Sequence, residues 1–368
     1  MRGSHKRILV IGAGPAGLAS AIFLRQIEGL AVDVVTHRPH HESLAPYHIG
    51  ESLPPQAARV LKQLGVWDSF QQSVHLPSYG NISYWGSAKA GFTDHIQHPI
   101  GHGWHLDRRA FVEMLWKKVS HLGGRIQAEC KVVQVERAQA QWQVTLSGSS
   151  PKKETYLYDF IFDASGRNSW LARRQGIDRL FEDSQLALVA FLQLEAPLDD
   201  TRSLIETMPN GWWYSAPIPG HRMATTFLCK PDTIEKALWQ TPKGWFNLFS
   251  QTQHTRTRTS IAPSQLLTSP AFVSAESSIL EHMHGPGWAA VGDAAMAFDP
   301  IASHGILMAM VSARDAVEAY VHASEGLPSQ AFIAYEKRMR TTYLHYARQR
   351  QAFYRAEKRF GQLGYWKG

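Results

Sequence analysis

An α/β fold is what the sequence predicts, and three short segments carry that prediction. Gly12-Ala13-Gly14-Pro15-Ala16-Gly17 closes the first apolar run. Asp163-Ala164-Ser165-Gly166-Arg167 follows a second apolar run in mid-chain, and Gly292-Asp293-Ala294-Ala295 follows a third in the last quarter. In all three an apolar run meets a glycine-bearing turn of small residues, and at the first a helix follows, the local order of a nucleotide-binding unit.

The elements follow in order. Residues 6–11 read as a buried strand, 18–27 as a helix with Leu18, Ile22 and Leu24 near helical spacing, and 32–35 as a second strand. Together they make a βαβ unit of about 30 residues, the context in which a glycine fingerprint gains meaning. Gly12 permits the tight turn, Gly14 lets backbone approach a pyrophosphate, and Gly17 lets the helix pack closely on the strand. Pro15 and Ala16 open a helix whose free N–H groups and positive end suit phosphate. An acid normally ends the second strand to hold ribose hydroxyls. Here the chain reads Val35-Thr36-His37-Arg38, so Thr36 or His37 takes that place, with His37 and Arg38 as expected cofactor contacts, and weaker adenosine binding with partial loss of cofactor on purification is expected.

Residues 54–64 read as a helix ended by Gly65, and a further helix starts near Arg109. Residues 125–146 carry alternating strands, and 158–162 a buried strand feeding the mid-chain motif. Between 187 and 279 the texture changes to short alternating runs with Pro and Gly turns, an antiparallel sheet. Residues 288–291 return to a buried strand, 306–321 form an apolar helix, and Gly326-Leu327-Pro328 breaks it before a last helix. Ala164 and Gly166 leave room for backbone to lie against a cofactor. Asp293, an acid at a strand end, can hold a sugar-chain hydroxyl. Pro300, Gly305 and Ile306 open the apolar helix, where N–H groups stabilise negative charge. In this order the three segments specify FAD. The expected division is 6–75, 101–180 and 281–326 for the FAD-binding domain, 76–100 and 181–280 for a substrate domain, and 327–368 for a C-terminal helical segment.

Composition limits the function classes. With 368 residues, a chain of this size is expected to form more than one core. No apolar run reaches the roughly 18 residues of a membrane span, and no membrane partner is expected. Met1-Arg2-Gly3-Ser4-His5 reads as an appended leader without a secretory signal after it, so a cytoplasmic location is expected. Cys130 and Cys229 show neither metal nor redox spacing, and no metal site is expected. The net charge of +7 gathers late, at Lys337, Arg338, Arg340, Arg348, Arg350, Arg355, Lys358, Arg359 and Lys367, interleaved with Tyr343, Tyr346, Phe353 and Tyr354. Nucleic acid is not the expected partner. The segment reads as the solvated face of a helix that packs by its aromatics, or as a docking surface for a protein; a monomer fits the sequence.

The motif set resembles the FAD-dependent monooxygenases of the p-hydroxybenzoate hydroxylase fold over essentially the whole chain. Gly50-Glu51-Ser52-Leu53-Pro54-Pro55 and Trp104-His105-Leu106-Asp107-Arg108-Arg109-Ala110-Phe111 are similar to segments of the flavin-dependent halogenase branch. That likeness makes Ser52 and Arg108 cofactor contacts. The halogenase Trp-x-Trp-x-Ile-Pro motif is absent, since Gly211-Trp212-Trp213-Tyr214-Ser215-Ala216-Pro217 stands in its place. The halogenase lysine has only Lys62 and Lys89 as candidates. Gly50 to Pro55, Asn81 to Ser87, Trp212 to Ala216 and Tyr354 to Phe360 resemble flavoproteins that mature tryptophylquinone amino-acid oxidases, such as glycine oxidase and lysine ε-oxidase. The resemblance implies an oxidoreductase of the flavin C4a-hydroperoxide type. It would use O2 and NAD(P)H or a separate reductase to oxidise a tryptophan side chain in the oxidase precursor, during cysteine tryptophylquinone formation. A small-molecule aromatic hydroxylase or halogenase is the alternative, and a flavin-binding docking protein without redox chemistry is a third reading.

The candidate catalytic residues are His304, Glu51 and Trp213. His304 either lies at the reactive flavin edge or caps the helix after it. Glu51 either meets flavin or substrate or makes a structural salt bridge. Trp213, with Trp212 and Tyr214, either stacks on an indole or packs a core. His48 and His105 are weaker candidates.

Overall fold

The structure is a computed structural model that describes residues 6–39, 50–148, 153–258, 265–323 and 328–367. His48 and the predicted 326–327 break lie outside them. Its centre is a six-stranded sheet in the order His284–Gly285, Trp288–Ala290, Phe160–Asp163, Lys6–Ile11, Leu30–Val35 and Arg125–Gln127. All neighbours are parallel except the His284–Gly285 edge. Strands buried on both faces read as continuous apolar runs, which is why Ile8, Leu9 and Val10 are fully buried. Helix Pro15–Arg25 packs on this sheet and against helix Gly305–His322, whose Tyr320 also meets Phe160 and Phe162 of the sheet.

Three glycines fix how close those elements come. A Cβ at Gly17 would lie 1.9 Å from Gly12 O, and one at Gly12, φ +109°, 2.4 Å from Ala164 O. At Gly292, φ +60°, it would meet Ala16 Cβ at 2.6 Å. The three motifs that lie far apart in sequence are therefore in mutual contact.

The strand expected over 158–162 is two. Glu154–Tyr158 belongs to an antiparallel three-stranded sheet, and Phe160–Asp163 to the central one. Asp159 makes the corner, accepting from Arg7 N and Gln141 Nε2.

A seven-stranded sheet stands beside the central one, in the order Ala271–Ser274, Leu186–Gln193, Arg222–Cys229, Gly211–Ile218, Ser203–Met208, Gly80–Tyr84 and Gly91–Asp94. It is antiparallel except between Ser203–Met208 and Gly80–Tyr84. Its faces hold separate cores, as period-2 alternation requires. Trp212, Tyr214 and Ala216 pack on one face with Phe191. Trp213 packs on the other with Phe227, Trp245 and Phe249.

A small sheet of Ser52–Leu53, Gly103–His105 and Leu76–Ser78 joins the two. Helix Pro328–Ala356 runs along the outside; its Tyr335, Tyr343 and Tyr346 are buried while Phe353 is exposed. Packing by aromatics is thus realised. Arg350 departs from the expected solvated face, because it turns inward to Asp299 at 2.8 Å. Among the described residues no helix is long and apolar enough to cross a membrane, and Cys130 and Cys229 are both buried.

Candidate functional site

Two adjoining cavities lie where the three motifs meet. The larger, about 640 Å³, runs from the glycine turn past Thr36, His37 and Arg38 to Lys131 and Glu113. The smaller, about 310 Å³, runs from the same turn to Glu51, Tyr214, Asp293 and His304. Gly14, Pro15, Arg108, Ala164 and Gly166 border both.

The larger cavity begins at the turn after the first strand, which Gly12 N–H locks to Val35 O at 2.8 Å. Thr36 ends the second strand, with its N–H on Gln127 O and its Oγ1 accepting from Arg38 N at 3.2 Å. Burial holds His37 below its ordinary pKa, and the charges of Arg38 and Lys131 add to this. Glu113 is the carboxylate among the described lining residues, set there by helix Arg108–His121 and paired with Lys117 at 2.9 Å. A strand-end search missed it because it comes from another element.

The Asp163 carboxylate points away from the cavities. Its oxygens accept from Ser165 N, Leu171 N and Ala172 N at 3.1, 2.8 and 3.2 Å. It thereby shapes the turn that presents Ala164 and Gly166. Burial raises its pKa against those bonds. Asp293 borders the smaller cavity with its carboxylate 3.6 Å from Arg167 Nε, and Arg179 Nη2 holds its carbonyl at 2.8 Å.

At the far end, the pairing of Ser52 with His105 and of Leu53 with Trp104 sets Glu51 against the seven-stranded sheet. Glu51 is buried, and burial raises its pKa although Tyr214 hydrogen-bonds it and Arg108 lies near. Burial lowers the Arg108 guanidinium to about 10. Arg108 Nη1 donates to Gly50 O at 2.5 Å, while its Nε is buried with no hydrogen-bond partner among the described residues. Tyr214, pushed well above the usual phenol range by burial, lines the cavity beside Thr226 and Ala187. His304 stands at the cavity rim, accessible on one side and crowded on the other, and burial lowers its pKa. Its side chain makes no cap bond to helix Gly305–His322, so the capping role is not realised.

The predicted residues converge with two exceptions. His37 and Arg38 line the larger cavity; Ala16, Glu51, Ser52, Asp293, Pro300, His304, Gly305 and Ile306 line the smaller. Gly17 lies beneath the turn as a packing residue. Trp213 is corrected: it is fully buried on the opposite face, edge-on to Trp245 at 5.9 Å, because alternation turns it away when Tyr214 faces in. Neither halogenase-lysine candidate reaches the site. Lys62 sits over the Trp67 ring at 5.4 Å, and Lys89 lies in an exposed turn.

FAD fits this pair of cavities. Gly14, Gly166 and Gly305 border them, and a Cβ on any of the three would meet nothing within 4 Å among the described residues. Their openness faces space that a cofactor would fill, whereas Gly12, Gly17 and Gly292 are closed by the protein itself.

A family model for the FAD binding domain matches residues 5–341. The chain belongs to that family. This FAD-binding-domain protein is an FAD-dependent oxidoreductase. It is 28% identical over 372 residues to the FAD-dependent oxidoreductase LodB of Marinomonas mediterranea, covering 98% of this chain and 95% of that one. Against the tryptophan 2-halogenase of Chondromyces crocatus it is 25% identical, covering 84% of this chain and spanning 60% of the halogenase. Among solved structures, the flavin-dependent halogenase CmlS superposes with a TM-score of 0.82 at 20% identity, over 96% of this chain and 65% of CmlS. QhpG, a peptidyl tryptophan dihydroxylase essential for tryptophylquinone cofactor biogenesis, superposes with a TM-score of 0.78 at 23% identity, over 98% of this chain and 78% of QhpG. The fold is that of the flavin-dependent halogenases.

Proposed function

We propose that this flavoprotein oxygenates a tryptophan side chain of a partner protein, the precursor of a quinone-dependent amino-acid oxidase, during cysteine tryptophylquinone formation. One atom of O2 enters the indole ring as a hydroxyl in place of hydrogen. The other leaves as water, with two electrons from NAD(P)H or a separate reductase and two protons.

Gly12, Gly14 and the start of helix Pro15–Arg25 hold the pyrophosphate, Arg38 and Glu113 the nucleoside, and Asp293 the sugar chain. A reduced flavin bound with its ring toward the smaller cavity supplies the activation of O2. The chain's own part is to orient the indole and to handle protons in a dry space. Ala187, Tyr214 and Thr226 form the wall against which an indole lies. The Glu51 carboxyl, its pKa raised by burial, stands at the cavity wall as the group to hand on a proton, and Tyr214 Oη fixes its orientation. Positively charged Arg108 and the N–H groups at Gly305 and Ile306 favour negative charge at the flavin edge.

The observation that carries oxygenation over halogenation is the absence of any lysine from the described lining of the smaller cavity. Halogenases require one to handle hypohalous acid. The likeness to QhpG over 98% of the chain supports a peptidyl tryptophan as substrate.

Intact masses test the reading. The precursor is expressed with and without this protein, and a gain of one or two oxygen atoms is expected only with it. Equal masses, together with consumption of NAD(P)H stimulated by free aromatic compounds, would favour the small-molecule hydroxylase.

A further inference from the structure

The turn that closes the flavin end of the site is tied to the C-terminal helix through one side chain. Asp299 is 1% exposed and borders the smaller cavity. Its Oδ1 accepts from Ile301 N at 2.8 Å and so caps the short turn Pro300–Ala302. Its Oδ2 accepts from Tyr354 Oη at 2.7 Å, Arg350 Nε at 2.8 Å and Gln185 Nε2 at 3.0 Å. The Asp299 N–H donates to Tyr346 Oη at 2.7 Å. Arg350, Tyr354 and Tyr346 all come from helix Pro328–Ala356.

Each partner is itself held. Arg350 Nη2 reaches Asp183 at 2.9 Å. Tyr354 Oη meets Gln185 Oε1 at 2.9 Å and accepts from Trp212 Nε1 at 2.9 Å. A buried carboxylate with three donors on one oxygen and a backbone N–H on the other has one favourable orientation. That orientation sets Ile301, then Ser303 in the left-handed region at φ +50°, then His304.

We propose that Arg350 and Tyr354 are positioning residues for the flavin. Through Asp299 they fix the 300–304 turn against the flavin edge, so the C-terminal helix is part of the redox site rather than an outer support. Without Arg350 the Asp299 carboxylate loses its charge partner in a dry setting, where an unpaired charge is costly. It then rotates away, and the cap on Ile301 loosens. This inference rests on the reading that the reacting end of the flavin lies beside that turn.

The test uses the full chain loaded with FAD and reads the visible flavin spectrum, the reduction potential and the FAD dissociation constant. Arg350→Met is expected to weaken FAD about tenfold, the scale of one charge-assisted hydrogen bond, and to shift spectrum and potential. Tyr354→Phe should shift both in the same direction by less, and Arg350→Lys should restore most of the wild-type values. Arg340→Met, in the same helix but paired with Glu336 at 2.9 Å, should leave the spectrum unchanged. Equal shifts from Arg340→Met and Arg350→Met would overturn the proposal by showing general loosening. Gly305→Ala probes the turn directly. If it moves the spectrum while the Arg350 and Tyr354 variants do not, positioning through Asp299 is wrong. If it too is silent, the placement of the flavin fails and the inference falls with it. Should Arg350→Met not fold, Tyr354→Phe decides.

Discussion

At the scale of the residue, glycines of the fingerprint separate into two kinds that the sequence writes identically. Gly12 faces protein, and Gly14 faces the cavity. Gly12→Ala forces a left-handed residue, which alone costs about 1–2 kcal/mol, and drives Cβ into Ala164 O. Lower thermal stability of the cofactor-free protein is expected. Gly14→Ala should leave that stability unchanged and weaken FAD at least tenfold, as read by flavin fluorescence titration; unchanged affinity would mean that nothing approaches Gly14. Glu51 supports a pH prediction of defined sign. Its native pKa is raised by burial above the ordinary 4.5, so the native state holds its proton more tightly than the unfolded chain. Stability from this group is full below pH 4.5 and declines as pH rises through the native value. Glu51→Gln should flatten that decline in pH-dependent denaturant unfolding; an unaltered slope would sink the assignment. The Gly-x-Gly-x-x-Gly turn itself was legible because it is local. That Glu51 faces Tyr214 was not, since it depends on strand pairing between residues 52 and 105 and on a sheet that begins elsewhere.

Among the elements, the strand Gly211–Ile218 shows what a sequence pattern leaves open. Trp212, Trp213 and Tyr214 are all aromatic, and all are buried. Alternation says that Trp213 faces away from its neighbours, but not which face holds the cavity. The answer comes from helix Pro242–Ser250, whose Trp245 and Phe249 cover the Trp213 side. Trp213→Ala should therefore cost about 3–5 kcal/mol, as expected for a large aromatic lost from a core, with turnover per folded molecule little changed. Tyr214→Phe keeps the ring and loses the hydroxyl that holds Glu51, so stability should change little and turnover should fall. Reversed outcomes in paired unfolding and single-turnover measurements would return Trp213 to the site. The missing acid after the second strand has a similar lesson. The strand-end position was legible as vacant, whereas Glu113 reaches the same cavity from a helix whose placement needs the tertiary fold.

For the molecule as a whole, the cofactor and the fold class were legible because three separated segments carried the same kind of signal. The coupling of the C-terminal helix to the site was not, since Arg350 and Tyr354 sit in a run whose charges mostly face water. The contact of Gly292 with Ala16 has a further consequence. The first strand pairs with residues 160–163, and those pair with residues 288–290, so the strand order of the central sheet is not the order of synthesis. The glycine turn emerges first from the ribosome, yet its opposing wall arrives with the last quarter of the chain. Until then the 160–163 strand lacks its 288–290 neighbour and the first helix lacks Gly305–His322, and non-local pairings of this kind are slow to form and prone to aggregation while they wait. Flavin capture is consequently expected late, once the last quarter of the chain has emerged, and FAD added to a cell-free synthesis should raise the yield of soluble protein by trapping chains that have just closed.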